Sequence, residues 1–545
     1  MIGTAALVAA LAAVAYAPIQ VPAELASFAT EGAVTVVVKV ALGLVVLSLP
    51  MLHKLWRQKE VPGPWPLPLV GNALAMAATP DVPKLYEKWE KRYAGGKGLF
   101  KYFFLNYPIV VVSDVNIARM MMLRKFSIFK NHTPLPPSFV PLLPGEMKVM
   151  QYGMDISRDV RWKGLRSTAN SIFHNVHTMS GFCPLMKEIA DELADRLGEV
   201  KEGESIDIWR AFGDMTLDVL GSTVFGVRFN SVRSDGSDAV EAARILFRIN
   251  IASPEWNPYL AAGLVLPRFM GPLLGWMMDK FPTQKMKKVV WAIGVLAKMS
   301  TELYEGAMSE LEGGATKASD HENLLKLFIK AHNRETGNLL SRDEVKAQAL
   351  LYLLAGYETT ANTLAYCVYL LSKNKDKEQA LIHEIDALES PVPTLDEIKS
   401  LTYVEGVVKE SLRLYGPIPF TDRQASETTD LTDHLRIFKE QCVHISTRSM
   451  SLNPEYFPDP DKFLPERFVK GSDLYDRQNH HAFMPWGAGP RMCVASDFAL
   501  TEAKLALVTL YRKYRFVLDP EYKLELHFAV SLAPKNGVHV FVRKR

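Results

Sequence analysis

The chain has 545 residues, of which 48% are apolar, 10% aromatic and 23% charged, so it can build a large core and is not intrinsically disordered. Its net charge of +3, with no long basic run and no interleaved aromatic stripe, gives no basis for nucleic-acid binding. The four cysteines (Cys183, Cys367, Cys442, Cys493) lie far apart, which excludes a paired Cys-x-x-Cys zinc site and suits a reducing compartment.

Residues 33–52 are twenty mostly apolar positions, long enough to cross a bilayer, followed at once by Trp56 and the basic Lys54, Arg57 and Lys59. They predict a transmembrane anchor over residues 33–53 with its C-terminal end in the cytosol. Lys39 inside it costs roughly 2.5 to 3.5 kcal/mol at a bilayer centre, and snorkelling lowers that cost. Residues 1–32 contain a shorter, alanine-rich apolar run stopped by Pro18. That run fits a second span, an interfacial segment or part of a plastid-type leader. Residues 54–72 form a basic and proline-rich hinge; with Pro62, Pro64, Pro66 and Pro68 it cannot be helix, and a stiff, extended spacer is expected.

Residues 99–104 and 109–112 read as a β-hairpin around Asn106-Tyr107-Pro108, part of a small β lobe. Further on, Trp162 and Arg166 stand four apart and share one helix face, where an indole N–H and a guanidinium can reach a pair of carboxylates. The same spacing also fits a core tryptophan beside a surface arginine. Residues 241–280 hold two apolar segments broken by prolines, and residues 283–390 contain no proline and read as helical.

Within that span, residues 343–371 are apolar all round, the pattern of a membrane span or of the central helix of a large core. Glu358, Asn362 and the threonines 359, 360 and 363 make a bilayer expensive, which favours the buried helix. Its middle, Ala-Gly-Tyr-Glu-Thr-Thr at 355–360, is poor helix chemistry and predicts a local distortion. Glu410 and Arg413, three apart, have the spacing of an ordinary surface ion pair. A helix over 504–515 and strands over 524–528 and 538–542 complete the chain, with a turn at 530–532.

Residues 483–495 read Phe-Met-Pro-Trp-Gly-Ala-Gly-Pro-Arg-Met-Cys-Val-Ala. Cys493 stands at the end of a glycine-containing loop and the start of a helix, where free N–H groups and the helix dipole favour a thiolate. Gly487 and Gly489 let the backbone approach a flat ligand, and Arg491 offers a fork to a carboxylate.

This segment resembles the haem-binding loop of the cytochromes P-450, with Trp486 where phenylalanine is common and Ala495 where glycine is common. The resemblance extends to Trp-x-x-x-Arg at 162–166, the oxygen-activation motif at 355–360, Glu-x-x-Arg at 410–413 and Pro-Glu-Arg-Phe at 465–468. The hinge is similar to that of microsomal members. The tail around 510–516 and 534–538 looks most like the branch of thromboxane synthase, the animal drug oxidases and plant carlactone oxidase.

The resemblance implies a mainly α fold with a small β lobe, one catalytic domain over residues 73–545 in place of the three or four domains that length suggests. It implies a haem b monooxygenase: Cys493 ligates the iron, and Glu358, Thr359 and Gly356 serve dioxygen and its protons. His132, Trp162, Arg166, Arg423 and Arg491 seat the propionates, Phe483 adds to the haem site, and Glu410, Arg413 and Arg467 brace the cysteine loop. It also makes 134–152 a lid and 241–280 a substrate entrance from the membrane.

No Gly-x-Gly-x-x-Gly follows a strand, so electrons come from an external NADPH-cytochrome reductase, with Arg158, Arg161, Lys163 and Lys470 as candidate docking charges. The implied partners are that reductase, O2, a lipophilic terpenoid, sterol or lipid-like substrate, and the endoplasmic reticulum membrane or a plastid membrane. Two other readings stay open here, a peroxide-rearranging isomerase or dehydratase of the same fold, and a haem-binding sensor without turnover.

Overall fold

The computed structural model describes residue 49 and residues 51–545, apart from 69, 80, 135–144, 235–237, 248–256, 260–261, 263–269, 313–322 and 332–336. The anchor expected over 33–53 lies mostly outside the described residues, as do residues 1–32 and parts of the expected lid and entrance. Among the described residues no helix is long and apolar enough to cross a membrane.

The expected hairpin forms as β1 (Leu99–Phe104) and β2 (Tyr107–Val112), paired from Leu99 opposite Val112 to Phe104 opposite Tyr107. The proline-rich stretch before it is not a free spacer. Lys101 N–H donates to Pro62 O at 2.8 Å, and Asn72 exchanges two hydrogen bonds with the Phe103 backbone. Gly63 lies so close that an added Cβ would sit 1.9 Å from Lys101 O. Proline rigidity keeps the stretch extended, and β1 supplies the partners that dock it.

The helices that frame the site are α1 (Asp159–Phe173), α2 (Ile208–Leu220), α3 (Arg342–Lys373) and α4 (Thr402–Tyr415). Ser341 caps α3 through a capping box with Glu344, satisfying orphan N–H groups at its start. Residues 360–372 are buried without a break, as an all-apolar helix in a large core must be. Leu364, Val368 and Leu371 are fully buried, and each contributes about 1.5 to 3 kcal/mol.

The distortion expected near Gly356 does not occur: α3 is a continuous α-helix. Thr359 and Thr363 return their hydroxyls to the carbonyls of Ala355 and Thr359, at 2.6 and 2.8 Å, so these polar groups are satisfied inside the helix.

Strands β3 (Thr421–Gln424) and β4 (Cys442–Ile445) join the hairpin in a sheet of order β1-β2-β4-β3, with β2 and β4 parallel and the other pairs antiparallel. After the cysteine loop, α5 (Ser496–Lys513) starts three residues beyond Cys493 and ends earlier than expected, because Tyr514–Leu518 is already a strand paired with His539–Lys544. A short hairpin, β5 (Leu526–Phe528) and β6 (Leu532–Pro534), carries residues 529–531 at its tip. Asn362 and Tyr366 of α3 both donate to Leu532 O, fixing that tip against the central helix.

Candidate functional site

The loop before α5 is folded by its glycines. Gly489 has φ +70°, and an added Cβ would meet Met122 O at 2.2 Å; Gly487 has φ +77° and open space beside it. The first is required by close backbone approach and both by the left-handed turn. Cys493 N–H donates to Trp486 O at 2.9 Å, closing the loop.

The Cys493 thiol is accessible from a cavity rather than from the outer surface. Burial pushes its pKa up, against the Ala495 N–H and the Arg166 guanidinium, which work the other way. The helix end and free N–H groups therefore do not by themselves hold a thiolate, and a bound cation is what would keep the sulfur charged.

Beneath the loop, Glu410 and Arg413 are not a surface pair. Both side chains are fully buried and joined by two parallel bonds of 2.8 and 2.9 Å, and Arg467 adds a third at 3.2 Å. Arg413 and Arg467 spend their other donors on Ser451 O, Lys462 O, Gln478 Oε1 and Asp459 O. Phe468, next to Arg467, packs on Phe483 with ring centres 4.5 Å apart. Phe483 thus props the loop and is not among the residues that line the cavity.

Arg423 and Arg491 line the cavity. Arg491 donates to Lys130 O (2.8 Å), Ser157 O (2.8 Å), Met154 O (3.2 Å) and Asn131 Oδ1 (3.3 Å), all neutral acceptors. Trp162 lies under it, the guanidinium 4.2 Å from a ring centre, so the tryptophan holds Arg491 and is not itself on the cavity wall. Arg166, one turn on, donates to Met492 O beside the cysteine. His132 meets Asp422 Oδ1 at 2.9 Å and Arg423 Nη1 at 3.4 Å through its Nδ1; it is not among the residues that line the cavity but touches an arginine that does.

On α3 the adjacent Glu358 and Thr359, about 100° apart around the helix, meet different surroundings. Thr359 lines the cavity, whereas Glu358 does not; it accepts from Ser531 at the β5–β6 tip, 3.0 Å away. Gly356 also lines the cavity, but its missing Cβ is accounted for by α2, since a methyl there would meet Leu220 Cδ2 at 2.8 Å.

The cavity itself, about 1120 Å³, is lined by Cys493, Trp486 and Phe498 of the cysteine loop and α5, by Ala355 and Thr359 of α3, and by Val530 of the hairpin tip. Two of its buried residues were not singled out from sequence. Tyr352 has a hydroxyl with no partner, and so has one oxygen of Glu502, whose carboxyl burial raises well above its usual range. Both stand on buried helix faces, one turn before Gly356 and nine residues beyond Cys493, and only that placement could have pointed to them.

A haem fits this lining on the charge of its walls. Burial, and then the like charge of Arg423, press Arg491 down to about 9, while burial lowers Arg423 to about 10 against the pull of Asp422. The Nε atoms of Arg423 and Arg166 are buried without acceptors. Crowded guanidiniums and orphaned donors beside a thiol are matched by a flat ligand carrying two carboxylates and a metal.

The sequence model of the family described as Cytochrome P450 matches residues 61–541. The chain is 29% identical to cytochrome P450 3A7 of Homo sapiens over 513 residues, covering 91% of this chain and 94% of that protein. It is 27% identical to cytochrome P450 3A5 of Homo sapiens over 519 residues (93% and 96%), and 28% identical to cytochrome P450 3A6 of Oryctolagus cuniculus over 499 residues (90% and 92%).

Proposed function

The chain belongs to the cytochrome P450 family, of microsomal type, and is a haem-thiolate monooxygenase; from that premise we propose that it inserts one oxygen atom of O2 into lipophilic small molecules with electrons from an external NADPH reductase. The observation that carries the substrate class is the cavity wall. Apart from the arginines by the cysteine it is mostly apolar, with Leu220, Val224, Leu246, Ile293, Ile418 and Val530 exposed to any bound molecule. Such a wall selects apolar bulk and excludes water from the reacting atoms.

Cys493 would ligate the iron of haem b, and Arg423, Arg491 and Arg166 would take its carboxylates. Bound haem supplies the redox chemistry, in which a thiolate ligand favours O–O cleavage. Trp162 and His132 act through the arginines they touch, and Phe483 through the loop it props. Thr359 places a hydroxyl on the cavity side of α3, and Glu358 places a carboxyl one residue away. Proton supply to the cavity is assigned to this pair.

The reductase would meet the protein on the side of the cysteine loop. Lys163 and Lys470 are exposed and are the docking charges we favour, while Arg158 is engaged by His132 O and Gln424 Oε1 and Arg161 by Glu344; each of the four is a candidate whatever else it touches. A cytosolic domain on the endoplasmic reticulum membrane agrees with the microsomal relatives and with the apolar segment at 33–52.

The test is the absorption spectrum of the reduced, carbon monoxide-bound protein beside Cys493→Ser. A strongly red-shifted Soret band, lost in the variant, is expected; a band at the position of histidine-ligated haem would overturn the ligation. Reductase-dependent oxygen insertion into apolar test compounds, absent without NADPH, checks the remainder.

A further inference from the structure

Behind α3, on the side away from the main cavity, lies a second cavity of about 170 Å³. Asp207, Arg210, Glu241, Arg244 and Tyr357 line it together with Glu358. Glu358 therefore stands between a polar chamber and the substrate cavity, and what joins it to the latter is Ser531. The Ser531 hydroxyl donates to Glu358 Oε2 at 3.0 Å and accepts from Asn362 Nδ2 at 2.9 Å.

The direction of these bonds is determined. Trp209 Nε1 can only donate, and it meets Asn362 Oδ1 at 2.6 Å, so the nitrogen of that amide must face Ser531 and Leu532 O. With its oxygen receiving from Asn362, Ser531 has its own proton left for Glu358. Asn362, Ser531 and Glu358 are 0%, 3% and 4% exposed, so none of these bonds can be exchanged for bulk water. Ser531 also lines the substrate cavity.

We infer that Ser531 is a positioning residue for Glu358. It fixes the carboxyl's orientation and favours its charged form, and it links that carboxyl to the wall of the substrate cavity. The inference rests on Glu358 being a proton source for the reaction. Tyr357 and Tyr366 interact electrostatically with Glu358, and Asp207, Arg210, Glu241 and Arg244 line the chamber it faces, whereas the hairpin tip, Ala529, Val530 and Ser531, adds no charge of its own.

The experiment uses the full chain and two readouts. The first is the infrared carboxylic-acid band of Glu358, identified by its loss in Glu358→Gln and followed against pH in the haem-free and loaded protein. Removing a hydrogen bond to the charged form in Ser531→Ala should raise its midpoint by about one to two pH units, and Ser531→Thr should restore it. Trp209→Phe, at the far end of the chain, should give a smaller rise and serves if Ser531→Ala does not fold. An unchanged midpoint in both variants overturns the inference. The second readout is the share of NADPH electrons released as peroxide, expected to rise several-fold in Ser531→Ala and to fall back in Ser531→Thr. A moved midpoint with an unmoved peroxide share supports the positioning and overturns the assignment of Glu358 as proton source.

Discussion

Glu410→Gln removes one charge from beneath the cysteine loop and leaves two buried guanidiniums without the carboxylate they share. Glu410 accepts from Arg413 Nε and Nη2, from Arg467 Nε and from Leu464 N–H, at 2.8, 2.9, 3.2 and 3.0 Å. The amide offers one acceptor oxygen and turns an NH2 toward donors, so at least one guanidinium loses its partner. Both arginine side chains are no more than 1% exposed, which makes this the breaking of a buried ion pair, at about 3 to 5 kcal/mol. The triple variant Glu410→Leu, Arg413→Met, Arg467→Met removes all the charges and should cost far less than the single change, because no ion is stranded. Urea midpoints of the full chain measure both, and haem content per chain reads the effect on the loop. A loss below about 1 kcal/mol in Glu410→Gln, or a triple variant as unstable as the single, would refute the reasoning.

Gly489→Ala should abolish haem loading, since the methyl would meet the Met122 carbonyl in a left-handed turn, whereas Gly487→Ala meets nothing closer than 3.8 Å and should cost only about 1 to 2 kcal/mol of backbone strain. Haem content and thermal midpoint of the two variants, side by side, make the comparison. Lys101 is held down to about 8 from 10.5 by burial in β1 beside Gln58 O. Between these values the unfolded chain binds more protons than the folded one, so stability should rise with pH across that window, and the penalty should be full below it. Lys101→Met should flatten the rise, read from urea midpoints at pH values on either side of the window.

What was legible in the sequence was set by covalent spacing. The position of Cys493 between a glycine loop and a helix, and the span of α3 to within two residues, follow from local rules of backbone and burial. The docking of the proline-rich stretch was not legible, because rigidity predicts an extended chain and says nothing of the strand that receives it. The all-buried state of Glu410 and Arg413 was legible only through the family resemblance, which joins them to Arg467, because the same three-residue spacing occurs on any solvated helix. Spacing does not bring Arg467 near them; the fold does.

The proton-supply pair shows the same limit at its sharpest. Adjacent positions on a helix differ by about 100°, so a motif that names Glu358 and Thr359 together does not by itself say which of them meets the cavity. Burying Glu358 away from the cavity requires partners from elsewhere in the chain, and one of them is the hydroxyl of Ser531, 173 residues on. Its neighbour Asn362 lies one turn along the same helix and its amide is oriented by Trp209 of α2. A single carboxyl therefore depends on three elements, α2, α3 and the C-terminal hairpin. Changes at Trp209 or Ser531, neither of them in a recognisable motif, should reach the chemistry through it.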